Sequence, residues 1–503
     1  MTSIQALRRP AVSATEPSTP ESSPHAEAAI PPVAGDALEG NAETAHRTGL
    51  RRLLGRGRTG EAERAGSIPW GALARNVFQA SVHRAASRAS VLPSAMSSLL
   101  SAGGVQASID KVFALRGAGN VPEVDLVNHH GVTRNNKIEL FVDGTNAFPE
   151  MLKAIDEVTD SLHLSYFIFD NDKLGNEFAD KLIAAKKRGV DVKVMVDGIG
   201  SGQHKRSSPS RALMDRLERE GVEVIRNHII DVDRTAEVLN HPDHRKLLIV
   251  DGKLGFTGGM NVADHYFAPY HDLVVRVQGD AVKQMQVEWM TSWLHLGGKV
   301  GAPGESEATL RDRYFPEVPT GVDAPGTTAI KVAQAIPGEH AEIRELALEK
   351  IRTAKHSVSV ENLYLSSKDF QDALIDAANR GVKVTCIIPG TLADNVVRLA
   401  GRQRIPELIA AGVRIFEYPG YCHGKVLEVD DEFVTIGSSN FDDMAMHHIY
   451  EMNLNVEDEA FAREIRKRVF EVDIAKSHEV TLSDITPKEM FLGKLAAHFS
   501  YYL

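Results

Sequence analysis

From about residue 137 onward, short runs of β-branched and aromatic residues alternate with segments in which apolar residues recur every three or four positions. The first round of this pattern runs through KIELFVDG, AFPEMLKAIDEVTD, SLHLSYFIF, NEFADKLIAAKKRG and VDVKVMVDG. These segments predict a strand, a helix, a strand, a helix and a strand in that order. Such alternation is typical of a parallel sheet covered by helices, so the sequence predicts an α/β fold.

The same order of elements returns later in the chain, in AEIRELALEKIRTAK, SVSVENLYL, FQDALIDAANRG and VKVTCIIPG. The segments FADKLIAAKKRGV and FQDALIDAANRGV match each other, and each contains a glycine, Gly189 or Gly381, that predicts a helix C-terminal cap. An internal repeat of this kind predicts two similar α/β domains related by a pseudo-twofold axis. We place them at residues 109–300 and 331–503, the second with a C-terminal helix, and a Gly- and Pro-rich linker at 301–330.

Residues 1–108 differ in composition, being rich in Ala, Ser, Pro and Arg, and they predict a largely disordered extension. An arginine cluster between Arg47 and Arg58 surrounds several leucines. It could form a short amphipathic helix on an anionic membrane, or it could be a solvated charge run in a flexible tail. A third possibility is that the extension directs export of the protein as an effector.

Composition and charge exclude several classes of protein. The chain is 43% hydrophobic and 25% charged, which is ordinary for a globular protein. Its two cysteines exclude a disulfide framework and a four-cysteine metal site. The sequence contains no run of about 18 apolar residues and therefore predicts no membrane span. The net charge of −11 gives no long-range attraction for polyanions, so we expect no nucleic acid partner. The two cysteines and the lack of an apolar span predict a cytoplasmic protein that associates with membranes peripherally.

Two copies of a His-x-Lys-x4-Asp motif carry the candidate chemistry. The first copy contains His244, Lys246 and Asp251, and the second contains His423, Lys425 and Asp430. If each motif lies in a strand, its histidine and lysine share one face, because residues i and i+2 point the same way. We expect the two aspartates to support the turn after each motif rather than to contact substrate.

The residues downstream of each motif repeat at equal distances. An asparagine follows each motif histidine at the same offset, Asn261 in the first half and Asn440 in the second. An acid follows further along, again at matching offsets, as Asp272 in the first half and Glu451 in the second. Chance matches to a short motif are common, but chance does not repeat the spacing of the residues beyond it. The two halves are therefore expected to contribute equivalent groups to one duplicated site.

These residue types suit chemistry at a phosphodiester. The lysines and the two asparagines can stabilise charge on the nonbridging oxygens. One neutral imidazole can attack phosphorus while the other, protonated, donates to the leaving alkoxide. An acid that accepts from the far ring nitrogen would orient each imidazole, and we assign Asp272 to His244 and Glu451 to His423. The cations already neutralise the phosphate, so we expect neither a metal nor another cofactor.

The segments HRKLLIVDGKLGFTGGMN and HGKVLEVDDEFVTIGSSN resemble the two motifs of the phospholipase D superfamily. The leading NKIELFVDGTNAFPEMLKAIDEVTD and the closing YEMNLNVED resemble more narrowly the bacterial cardiolipin synthases, and the resemblance covers about residues 135–475. It implies two tandem α-β-α sandwich domains and a metal-independent phosphatidyltransferase that joins two phosphatidylglycerols through a covalent phosphohistidine. It also implies that His244 is the nucleophile and His423 the acid.

The acceptor of the phosphatidyl group stays open, because Met444 and Ala445 stand where the family usually has Arg and Ser. Transfer to an alcohol is the leading interpretation, with phosphatidylglycerol at a membrane surface as the expected partner. A hydrolase that releases phosphatidic acid would share every catalytic residue. A nuclease of the same superfamily and a catalytically silent lipid-binding protein are the remaining alternatives.

Overall fold

The computed structural model describes residues 104–116, 121–203, 208–227, 241–390 and 396–497. The predictions made for the N-terminal extension, including its arginine cluster, fall almost entirely outside the described residues.

The first half of the described chain alternates strands and helices in the predicted order. Its strands are β1 (Thr133–Val142), β2 (Ser161–Tyr166), β3 (Asp191–Asp197), β4 (Glu223–Asn227), β5 (Leu247–Val250), β6 (Leu254–Gly258) and β7 (Leu273–Gln278). Its helices are α1 (Val105–Leu115), α2 (Gly144–Glu157), α3 (Lys173–Lys187), α4 (Pro209–Arg219), α5 (Asp264–Phe267), α6 (Asp280–His295) and α7 (Glu307–Tyr314). A short 3-10 helix, Glu123–Leu126, lies between α1 and β1.

The second half repeats this order. Its strands are β8 (Thr328–Ile336), β9 (His340–Ala341), β10 (Ser357–Glu361), β11 (Lys383–Pro389), β12 (Arg414–Tyr418), β13 (Val426–Val429), β14 (Phe433–Gly437), β15 (Glu451–Glu457) and β16 (His478–Glu479). Its helices are α8 (Glu342–Thr353), α9 (Lys368–Asn379), α10 (Val396–Arg402), α11 (Ile405–Ala410), α12 (Asp443–His447), α13 (Glu459–Ile465), α14 (Glu471–Lys476) and α15 (Pro487–Ala497), with a π-helical turn at Arg466–Phe470 and 3-10 turns at Gly321–Asp323 and Leu482–Asp484.

One sheet runs through both halves of the described chain. Its strand order is β16-β12-β11-β10-β13-β14-β15-β8-β1-β7-β6-β5-β2-β3-β4, so the two halves repeat one order in opposite directions from the β8–β1 pair. The parallel pairing predicted from the sequence holds for β2, β3 and β4 and for β10, β11 and β12. The strands after each motif are instead antiparallel. Tight turns with positive φ at Asp251 and Gly252, and at Asp430 and Asp431, explain this difference.

Helices cover both faces of the sheet. In β5, Leu248 and Val250 pack with the residues of α2, α3 and α4, whereas Leu247 and Ile249 belong to a second core that contains α6. Alternate residues of a strand point to opposite faces, so α2–α4 and α6 lie on opposite sides of the sheet. The predicted α-β-α sandwich in each half is confirmed. The second core also includes strands of the other half, which joins the two halves through a shared apolar interior.

The C-terminal helix α15 packs on one side only. Gly493 lies so close to the backbone of Leu399 in α10 that a side chain there would overlap with it. Phe491 and Leu495 are instead 64% and 51% exposed. Within the described ranges, no helix combines the length and apolar character that crossing a membrane requires.

Candidate active site

The two motifs lie at the seam between the halves, in the segments that lead into β5 and β13. The strands begin at Leu247 and Val426, one residue after each motif lysine, so the prediction that histidine and lysine lie within a strand is wrong. Each segment instead pairs with the other half through an isolated bridge, Asp243 with Tyr450 and Cys422 with His271. Contacts across the seam therefore help to place both motifs.

Backbone hydrogen bonds fix the motif histidines at this seam. The His244 N–H donates to the Tyr450 carbonyl at 3.0 Å, and the His423 N–H donates to the His271 carbonyl at 2.7 Å. Tyr450 and His271 each precede one of the two acids predicted from the sequence. Each motif is therefore aligned with the acid of the opposite half.

The side chains of the motif histidines also bond to the opposite half. His244 Nδ1 lies 2.9 Å from Glu451 Oε1, and His423 Nδ1 lies 2.7 Å from Asp272 Oδ2. The prediction that each acid serves the histidine of its own half is wrong. Asp272 lies directly before β7 and Glu451 is the first residue of β15, and each faces the motif of the other half. Because Nδ1 is held by the acid, Nε2 is the ring nitrogen placed for chemistry at the substrate.

The residue that packs against each acid differs between the halves. At Gly259 an added Cβ would overlap with Asp272 Oδ1, so only glycine leaves room for this acid. The equivalent position in the second half is Ser438, whose hydroxyl donates to Glu451 Oε2. The sequence analysis missed this serine, although comparing Gly-Gly-Met-Asn with Gly-Ser-Ser-Asn shows the substitution.

Burial shapes the charge of the first pair. Glu451 is fully buried, which raises its pKa to about 8, while Lys246, the Ser438 hydroxyl and Lys425 act to lower it. The two lysines come from different motifs, yet both act on this one carboxylate.

The predicted phosphate-binding residues are buried close to the histidines. The ammonium groups of Lys246 and Lys425 each donate to the carbonyl of the histidine two residues earlier, at 2.7 and 2.8 Å. The Asn261 amide accepts from the Ile168 N–H and donates to the Tyr266 hydroxyl, which fixes its orientation. An ammonium carries three N–H groups and an amide two, so both residue types can bind more than one acceptor. A phosphate contact by these residues and by the buried Asn440 stays a prediction.

The motif aspartates accept hydrogen bonds from backbone N–H groups away from the seam. Asp251 accepts hydrogen bonds from the backbone N–H groups of residues 159–161, and Asp430 accepts from those of residues 355–357. Both stand at positive φ, which Asp tolerates better than most residues. These contacts agree with the structural role predicted for both aspartates.

A buried arginine that the sequence analysis missed supports the first motif. Arg245 forms an ion pair with Asp243 at 2.7 Å and donates to the Ser292 hydroxyl on α6 at 2.8 Å. Burial acts to lower the pKa of Arg245, but Asp243 and Glu288 raise it further, so the group stays charged. The second motif has Gly424 at this position, and that asymmetry between otherwise matched motifs was the available signal.

The chain is similar to known proteins both in sequence and in fold. A family profile described as "Cardiolipin synthase, PLD-like domain" matches residues 151–293 and 347–473. A cardiolipin synthase of Staphylococcus aureus strain Mu50 is 29% identical over 378 residues, which cover 72% of each chain. One from Halalkalibacterium halodurans is 29% identical over 331 residues, covering 64% of this chain and 63% of the relative. The fold also matches the crystal structure of phosphatidylserine synthase from Haemophilus influenzae, with a TM-score of 0.56, 13% identity, and coverage of 73% of this chain and 95% of that one.

Proposed function

Because the chain belongs to the phospholipase D superfamily, within its cardiolipin synthase-like family, we propose that it is a phosphatidyltransferase acting on phospholipid phosphodiesters through a covalent phosphohistidine. The observation that carries this proposal is the pair of crossed imidazole–carboxylate contacts, His244 with Glu451 and His423 with Asp272. Two oriented imidazoles at one seam are what a two-step displacement at phosphorus needs, since one attacks and the other transfers protons.

In the first step, His244 donates its Nδ1 proton in a hydrogen bond to ionised Glu451 and attacks phosphorus through Nε2. A P–N bond forms, and the P–O bond to the leaving glycerol breaks as His423 delivers its Nε2 proton to the departing oxygen. Asp272 stabilises the His423 imidazolium that supplies this proton. Lys246 and Lys425 stabilise the charge that develops on the nonbridging oxygens.

In the second step, His423 accepts the proton of an incoming hydroxyl, which attacks the phosphohistidine. A new P–O bond forms, the P–N bond breaks, and both imidazoles return to their starting protonation states. A lipid hydroxyl as acceptor gives a diphosphatidyl product, and water gives phosphatidic acid. The deep burial of His423 and Lys425 favours an acceptor held by the protein over bulk water, which supports transfer as the leading activity.

The lipid substrate requires access to a membrane surface, and α15 offers the apolar residues for it. Phe491 and Leu495 project from this helix, and Lys488 and Lys494 lie in the same segment, the composition expected of a helix that rests on anionic lipid. We expect Phe491→Asp with Leu495→Asp to weaken binding to phosphatidylglycerol vesicles about tenfold. Val322 is fully exposed and lies outside this helix, so Val322→Asp serves as the control and should bind the vesicles as the unaltered protein does.

The activity is tested by incubating the full chain with phosphatidylglycerol, with and without a primary alcohol, and analysing the lipids by mass spectrometry. The proposal expects a diphosphatidyl product with release of glycerol, and a phosphatidyl alcohol when the alcohol is present. Both products should disappear in His244→Ala and in His423→Ala. Phosphatidic acid alone, in both conditions, would indicate the hydrolase.

Two further outcomes would reject the lipid chemistry. Cleavage of DNA at moderate salt that is lost in His244→Ala would indicate the nuclease. Retention of cellular function in the double variant His244→Ala, His423→Ala would indicate a catalytically silent lipid-binding protein.

A further inference from the structure

A second cluster of reactive side chains lies directly behind the second motif. Cys422, His271 and Glu361 are all buried, and their ligand atoms lie within 4.8 Å of one another. The three residues come from separate segments: Cys422 precedes the motif histidine, His271 precedes Asp272, and Glu361 ends β10. The catalytic contacts described above use none of these three side chains.

Glu361 faces the other two members of the cluster but is bound only weakly by them. Its side chain is fully buried and faces the Cys422 thiol and the His271 ring, but no hydrogen bond to either carboxylate oxygen has good geometry. Oε1 lies 3.6 Å from His271 Nε2 and so close to Gly424 that any side chain there would overlap with it. A buried carboxylate without strong donors is costly, because it loses its hydration and gains little in return. A bound cation would satisfy it.

The surroundings of His271 match those of a metal-binding imidazole. Asp143 Oδ1 lies 2.7 Å from His271 Nδ1, so a carboxylate holds the ring from the side opposite the cluster. Metal-bound histidines usually donate their second ring N–H to such a carboxylate, which sets the tautomer and directs the other nitrogen to the metal. His271 Nε2 donates a hydrogen bond to Oδ2 of the buried Asp473 at 2.9 Å, so this carboxylate lies near the three clustered side chains.

We propose that Cys422 Sγ, His271 Nε2 and a Glu361 oxygen bind a zinc ion, with the Asp473 carboxylate as the fourth ligand. The mixed set of one thiolate, one imidazole and two carboxylates suits Zn²⁺. Binding displaces the thiol proton of Cys422 and the Nε2 proton of His271 to solvent. The sequence analysis expected no metal in this chain, since the histidines outside the motifs showed no ligand spacing. These ligands become neighbours only through the fold.

With four protein ligands the site is closed, which is the mark of a structural rather than a catalytic metal. Cys422 is the neighbour of His423, and His271 is the neighbour of Asp272, so the ion would fasten the two segments whose side chains form the second imidazole–carboxylate pair. The proposal does not rest on phosphatidyl transfer and holds for any activity of the seam.

The test uses the full chain, freed of metal by dialysis against a chelator and then titrated with Co²⁺, a spectroscopic substitute for zinc, and with Zn²⁺ itself. We expect one ion per chain, a thiolate-to-cobalt charge-transfer absorption, and a rise in Tm with zinc. Cys422→Ser should abolish the charge-transfer absorption, whereas Cys386→Ser, the matched control at the other cysteine, should keep it. Asp143→Asn should weaken zinc binding about 10- to 100-fold.

Each variant is checked by circular dichroism, so that a loss of folding is not read as a loss of binding. Glu361→Gln, which keeps the size of the side chain, provides a second test if Cys422→Ser does not fold. The proposal fails if the folded, unaltered chain shows no charge-transfer absorption with Co²⁺. It also fails if Cys386→Ser abolishes the absorption, or if folded Cys422→Ser or Glu361→Gln binds zinc as tightly as the unaltered chain.

Discussion

Replacing Glu451 by Gln should disable His244, the proposed nucleophile, which lies in the opposite half. The change removes the charge that receives the Nδ1 proton of His244 across 2.9 Å, at a site where both side chains are buried. A hydrogen bond to a charged group contributes about 1.5–3 kcal/mol, which corresponds to a loss of about 10- to 100-fold in rate. Gln can also hold the imidazole in the wrong tautomer, which can extend the loss to about 10⁴-fold.

The assay uses a phosphatidyl ester of p-nitrophenol, whose leaving group departs without a proton. The first turnover then releases a burst of p-nitrophenolate that reports the attack on phosphorus alone. Glu451→Gln should lose this burst, because the nucleophile is misoriented. Asp272→Asn should keep the burst. Asp272 orients His423, the proposed proton donor, and p-nitrophenolate leaves without accepting a proton. His244→Ala gives the baseline.

The reverse pattern, a burst in Glu451→Gln and none in Asp272→Asn, would refute this reasoning. It could arise either from acids that serve their own half or from His423 acting as nucleophile. Mapping the phosphorylated histidine by mass spectrometry after an alkaline quench separates these two explanations. Unchanged Tm values in both isosteric variants exclude a loss of folding as the cause.

Two other changes test the site. Glu451 must be ionised to orient its histidine, and its pKa is raised to about 8 by burial, so kcat/KM should rise with pH up to about 8. Ser438→Ala removes a hydrogen bond that lowers the pKa of Glu451, so it should move this rise to higher pH. Ser439→Ala is the control and should leave the rise in place, because the Ser439 hydroxyl donates to a backbone carbonyl. Equal shifts in both variants would contradict the assignment. Asp251→Ala and Asp430→Ala should each lower the free energy of unfolding by about 2 kcal/mol in denaturant titrations, because each aspartate accepts hydrogen bonds from three backbone N–H groups. A loss of activity without a loss of stability would contradict the structural role.

The periodic pattern of the chain was sufficient to predict the α/β class and the duplication. The equal offsets of the acids in the two repeats likewise predicted that both acids would bond to the motif histidines, as they do. These inferences succeed because hydrophobic periodicity and a repeated spacing are properties of each half by itself. The same holds for Asp251, whose turn role follows from its position directly after a strand.

The pairing of acids with histidines could not be predicted in this way. Asp272 belongs to the same repeat as His244 and is separated by 151 residues from His423, yet it bonds to the latter. Spacing along the chain favours the local partner, whereas the actual partner is chosen by the docking of the halves. Glu361 was missed for the same reason, since His271 and Cys422, which it faces, come from distant segments. Arg245 left a trace in the sequence, because Gly424 stands at its position in the second repeat.

The exchange of acids across the seam makes each half an incomplete enzyme. A half expressed alone would carry a histidine without its acid and an acid without its histidine, so mixing the two halves should restore turnover only as fast as they associate. Any force that parts them would uncouple both imidazoles in the same movement. Any weakening of the contact between the two halves should therefore lower the reaction rate.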